Sequence, residues 1–144
     1  MRAAPIACVV LALAVLGGMP RHLAQAEGRT VKIKGGETVT FEAASGGRYA
    51  LTFVAVVSDE RCPARVTCVW ANPPVIALEA VTQGRPKQAF QLSTSAHRAP
   101  QQIEIEGASI RFVDLLPVPQ MPREFSKLKP TGAYTAVLAI GGGR

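Results

Sequence analysis

Apolar and polar residues alternate strictly through Thr30-Val31-Lys32-Ile33-Lys34, placing Val31 and Ile33 on one face and the two lysines on the other. A period of two marks a strand with one buried face. Gly35-Gly36 interrupts the pattern, and Thr38-Val39-Thr40-Phe41-Glu42 resumes it. Because paired glycines reach positive φ at little steric cost, Val31 to Phe41 reads as a β-hairpin. Tyr49 to Val57 is apolar at both parities, rich in β-branched and aromatic residues, and free of Gly and Pro. That is the profile of a central strand covered on both sides. Further strand candidates are Val75 to Thr82, Lys87 to Ser93, Gln102 to Glu106, Ile110 to Leu116 and Tyr134 to Ile140. Pro117, Pro119 and Pro122 stop the run that ends at Leu116, since proline cannot donate to a central ladder.

No stretch holds a 3.6-residue apolar period over ten or more residues. About seven or eight short strands at roughly 8–12-residue spacing predict an all-β fold. A single antiparallel β-sandwich, immunoglobulin-like or similar, is the first expectation, and a small β-barrel is the alternative. No linker, repeat or low-complexity tract divides the segment from Glu27 to Arg144.

The beginning of the chain follows other rules. Arg2 precedes an uncharged apolar run from Ala3 to Leu16, Gly17, Gly18 and Pro20 break any helix there, and Ala24-Gln25-Ala26 offers a small-x-small cleavage pattern. The run is shorter than the ~20 residues of a membrane span, so residues 1–26 read as a secretory leader that is cleaved. Cys8 follows Pro5-Ile6-Ala7 with almost no apolar stretch before it, which argues against lipidation. The predicted mature protein is therefore one exported β-domain over residues 27–144, with no transmembrane segment.

The leader changes the composition. Of 144 residues, 16 are Lys or Arg and 10 Asp or Glu, a formal net charge of +6. Loss of Arg2 and Arg21 lowers it to +4, and loss of Cys8 leaves Cys62 and Cys68 as the cysteines of the mature domain. In an oxidising compartment these two should pair with each other. Closing so small a ring is worth about 2.4 kcal/mol by loop entropy. It clips one loop and leaves distant parts of the fold untied.

Around that ring lies the chemically unusual stretch Asp59-Glu60-Arg61-Cys62-Pro63-Ala64-Arg65-Val66-Thr67-Cys68-Val69-Trp70-Ala71-Asn72. Arg61 is expected to pair with Asp59 or Glu60, and Trp70 to pack on the disulfide or the sheet beneath it. The run D-x-R-C-P-x4-C-V-W-A resembles a pattern in small secreted or lipoprotein-type bacterial proteins of unknown function, where it commonly reads D-S-R-C-P, four residues, then C-V-W-A-G. The resemblance implies a β-fold and an exported, periplasmic or extracellular location, with no activity to carry over. Two positions depart from it: Glu60 stands where Ser is usual, and Asn72 where Gly is usual. Asn tolerates left-handed backbone best among non-Gly residues, so a turn there is expected to survive.

Several kinds of chemistry lack their residues. A C-x5-C spacing without a βαβ pattern does not suit a redox pair. Two cysteines and a distant His97 fall short of a tetrahedral metal set. His97 follows Ser93-Thr94-Ser95 in a polar loop, and no G-x-S-x-G, P-loop or dinucleotide fingerprint occurs. The expectation is a protein without catalytic residues, cofactor or metal. Basic residues are dispersed, and nucleic-acid motifs are missing, so the partner is expected to be a protein or an envelope component. Lys32 and Lys34 read as a solvated strand face. The candidate interaction loop comprises Asp59, Glu60, Arg61, Arg65, Trp70 and Asn72, in a binding or envelope-accessory module or, alternatively, an inhibitor of an exported protease or lysozyme.

Overall fold

The computed structural model describes residues 28–43, 45–120 and 128–142; the predicted leader lies outside them. Eight strands form in chain order: β1 (Arg29–Lys34), β2 (Thr38–Glu42), β3 (Arg48–Glu60), β4 (Asn72–Thr82), β5 (Gln88–Ser93), β6 (Gln102–Ile105), β7 (Ala108–Leu116) and β8 (Thr135–Gly141). One sheet has the order β1-β8-β7-β6 and the other β2-β3-β4-β5, with every pairing antiparallel. The two sheets pack face to face, so the fold is the expected β-sandwich and not a closed barrel. Ile33, Ile110, Phe112 and Leu138 meet Leu51, Phe53, Leu78 and Leu92 in a continuous buried core.

The hairpin expected over Val31 to Phe41 does not form. β1 pairs with β8 and β2 with β3, so the chain changes sheets at Gly35-Gly36. Val31 and Ile33 line the core from one sheet, while Val39 and Phe41 line it from the other. Two backbone bonds hold the corner: Gly35 N–H donates to the Tyr134 carbonyl (2.9 Å) and Gly36 N–H to that of Phe53 (2.7 Å). Gly36 adopts φ +84°, and a Cβ on Gly35 would sit 1.9 Å from the Thr131 carbonyl oxygen. The glycine pair therefore serves a close crossing between layers, a use that alternation on either side does not distinguish from a hairpin turn.

β3 is central in its sheet, as expected, but it is not covered on both sides: Val54 and Val57 face solvent. Its buried residues run Tyr49, Leu51, Phe53, Val56 and Asp59, so the inward spacing lengthens from two to three after Phe53. Register shifts against β4 occur at the same places, between Phe53 and Ala55 and again between Val56 and Ser58. Each bulge adds a residue and changes which parity points inward. The apolar run at both parities thus arises from bulged pairing and not from double-sided burial.

All strand connections leave from one of two ends. The corner after β1, the loop after β3, the loop after β5 and the long connection after β7 share one end. The tight turns after β2, β4 and β6 share the other. At that second end Arg29 lies 5.6 Å over the Phe41 ring, which stacks on Tyr49 with centroids 5.4 Å apart.

Candidate functional site

The second bulge of β3 turns Asp59 inward, where a carboxylate needs a partner. Arg61 supplies it. Its Nε donates to Asp59 Oδ1 at 2.7 Å and its Nη2 to Oδ2 at 2.8 Å, a bidentate pair with side chains only 13% (Arg61) and 4% (Asp59) exposed. The rest of the guanidinium reaches the other sheet: Nη2 donates to the Pro117 carbonyl at 2.8 Å and Nη1 to that of Leu115. Asp114 Oδ1 stands 3.8 Å from Nη1. The planar fork of arginine can satisfy a carboxylate on one edge and carbonyls on the other, which a lysine cannot. Arg61 thus pairs with Asp59, as expected, and latches the end of β3 to the end of β7.

The loop beyond Arg61 is held at further points. Cys62 and Cys68 are joined by a disulfide, with Cα atoms 5.8 Å apart. Ala64 N–H donates to the Pro119 carbonyl at 2.9 Å, so the ring leans on the segment that follows β7. Pro63 and Pro119 are both buried between these strands of chain. At the base of the loop, Asn72 Nδ2 donates to Glu60 Oε2, and Arg98 Nη2 lies 3.8 Å from the same oxygen.

That last contact revises the reading of Asn72. It is the first residue of β4, paired with Glu60, and among the described residues Glu106 is the one non-glycine with positive φ. Asn72 is therefore not a substitute for glycine in a left-handed turn. The two positions at which the sequence departs from the resembled motif are bonded to each other. The contact joins residues separated by the whole disulfide ring, so neither position signals it locally.

Trp70 does not pack in the core. It is 63% exposed, Val69 beside it is 101% exposed and Val66 across the ring is 38% exposed. Trp70 lies between the closed ring and the start of β4 at Asn72, so no strand alternation turns it toward the core. Arg65 and Thr67 are exposed alongside. The loop is rigid below and apolar at its tip.

An open cleft of about 390 Å³ adjoins the loop, lined by Arg61, Cys62, Asn72, Pro74, Val113 and Asp114 among others. Asp114 is half exposed there, and its Oδ1 accepts from the Leu115 N–H at 2.7 Å. Of the residues expected to form the interaction loop, Arg65 and Trp70 lie at the tip, Glu60 and Asn72 close its base, and Asp59 and Arg61 are committed to the latch. Val69, already part of the Cys-to-Trp stretch, joins them at the tip, and Val113 and Asp114 join the region without an advance signal, because only the folding of β7 against the loop brings them near.

Ser93 and His97, close in sequence, are turned to different surroundings. Ser93 is buried, its hydroxyl donates to the Pro74 carbonyl at 2.9 Å and accepts from Ser95 N–H at 3.3 Å, and His97 is exposed. Among the described residues, no three His, Cys, Asp or Glu side chains gather as a metal site, and no helix is long and apolar enough to cross a membrane. Comparison with protein families, with curated proteins and with solved structures found no match for the chain.

Proposed function

We propose that this protein is an exported, non-enzymatic binding or envelope-accessory module that engages its partner through the loop between β3 and β4. The observation that carries the reading is an apolar tip, Val69 and Trp70, held on a loop fastened by a disulfide and a buried arginine latch. A loop already ordered loses little conformational freedom on binding, which leaves more of the contact energy as affinity. Tryptophan and arginine are also the residue types that most often anchor interfaces. The leader pattern and the disulfide together support export, since disulfides persist in oxidising compartments. The polar groups around the cleft are largely engaged with one another, which supports a binding role over a catalytic one.

Sedimentation with isolated envelope fragments tests this. Native protein is expected in the pellet, and Val69→Asp or Trp70→Ser protein in the supernatant. Equal retention of all three would remove the loop from consideration. Selective recovery of a protease or lysozyme with the native protein would shift the reading to an inhibitor. Intact mass of the exported protein is expected to show Glu27 as its first residue and a closed disulfide.

A further inference from the structure

The two ends of the sandwich differ in chemistry. The described residues of the turns after β2, β4 and β6 are glycine, polar, charged or proline apart from Ala43, which is buried, and none presents a large exposed apolar side chain. The opposite end presents Val66, Val69 and Trp70 on the braced loop, and half-exposed Leu128 on the connection between β7 and β8. Among the described residues, large exposed apolar groups on the loops between strands are thus confined to one end of the sandwich.

We propose that this end docks on an anionic lipid bilayer, with Val69 and Trp70 entering the headgroup boundary and Arg65 meeting the lipid phosphates. The inference rests on the binding-module reading and names its partner. The exposed large apolar side chains of the braced loop are Val66, Val69 and Trp70, a small set against the ~800 Å² per partner that a stable protein interface takes. A bilayer boundary accepts so small an apolar tip without a matching pocket. Indole is suited to that depth, with an apolar body and a polar N–H. Charge agrees as well. Among the described residues the acidic groups beneath the tip are engaged, Asp59 with Arg61 and Glu60 with Asn72 and Arg98, and half-exposed Asp114 faces the same Arg61 guanidinium. Arg65 is exposed at the tip itself, on a protein whose net charge without residues 1–26 is +4. Each basic group near an anionic surface adds attraction that falls off within a Debye length.

Trp70 is the one tryptophan of the chain, so its emission reports this loop alone. The experiment uses protein purified from the exported fraction, leader removal checked by mass, with vesicles of phosphatidylglycerol and phosphatidylethanolamine or of phosphatidylcholine alone. Anionic vesicles are expected to blue-shift the emission and sediment the protein, and added salt to weaken both. Arg65→Glu is expected to lower partitioning at least about fivefold. Val69→Asp, at a fully exposed position that leaves the fold untouched, is expected to abolish the shift. An unchanged emission with anionic vesicles overturns the proposal. If envelope fragments still retain native protein but not the loop variants, the binding-module reading stands with a protein partner. If they do not, both fall.

Discussion

Arg61 places four hydrogen bonds on three acceptor residues in two sheets, with its charge nearly out of water. Breaking a buried pair strands the remaining charge, and such losses run to about 3–5 kcal/mol. Arg61→Lys keeps the charge but loses the fork, and Asp59→Asn keeps the shape but loses the charge. Both are expected to lower unfolding free energy by about 2–4 kcal/mol in urea titration. A loss under about 0.5 kcal/mol would mean the latch is ornamental. Glu60 and Asn72 call for a double-mutant cycle with Glu60→Ser and Asn72→Gly, expected to give a coupling of about 0.5–1.5 kcal/mol. Additive effects would show that their contact contributes nothing. At the other end, the Tyr49 hydroxyl is buried with no hydrogen-bond partner among the described residues. Burial raises its pKa above 10.0, against a smaller opposing pull from Arg29. The folded state therefore holds the proton more tightly than the unfolded chain, so this contribution is intact below pH 10 and is lost as pH rises through the folded value. Tyr49→Phe is expected to stay within about 1 kcal/mol of native stability at neutral pH and to flatten the alkaline decline. A steep alkaline loss surviving in the variant would place its origin elsewhere.

Among the elements, β3 and the corner after β1 do most to set the site. The bulges in β3 re-aim its last residues, and without the second of them Asp59 would face the parity of Val57. The corner at Gly35 sends β1 and β2 to different sheets. Gly35→Ala would drive a Cβ into the Thr131 carbonyl, where only backbone movement can make room. We expect a loss of more than about 2 kcal/mol by chemical denaturation; a variant as stable as native would show that the turn at Thr131–Ala133 yields freely. The braced loop should behave in the opposite way. Cys62→Ser with Cys68→Ser is expected to cost no more than about 2.4 kcal/mol, because the Arg61 latch and the Ala64–Pro119 bond persist. Amide exchange should quicken over residues 62–71 and remain slow in the core strands; quickening throughout would show that the ring supports the whole sandwich. The strand candidates were legible from alternation and from Gly and Pro punctuation. The bulges were not, since a shift from spacing two to spacing three looks, in one dimension, like an apolar face on each side.

For the whole molecule, the two ends decide how it can be used: one closed by tight turns, the other carrying a fastened loop and an open cleft. Ion pairs such as Arg85–Glu106 (3.3 Å), which ties turns of the two sheets at the tight-turn end, are surface features of small energetic weight. The amino-acid sequence by itself determined an all-β fold with a sandwich as its first form, the position of each strand to within a few residues, the pairing of Cys62 with Cys68 and an acidic partner for Arg61 at Asp59 or Glu60. Each of these depends on residues close in the chain or on a period that repeats locally. The tertiary structure alone decided that β1 and β2 part company, that Trp70 stands exposed, and that Glu60 and Asn72 meet. Those outcomes depend on which distant pieces of chain compete for the same space, and alternation along one strand carries no information about that competition.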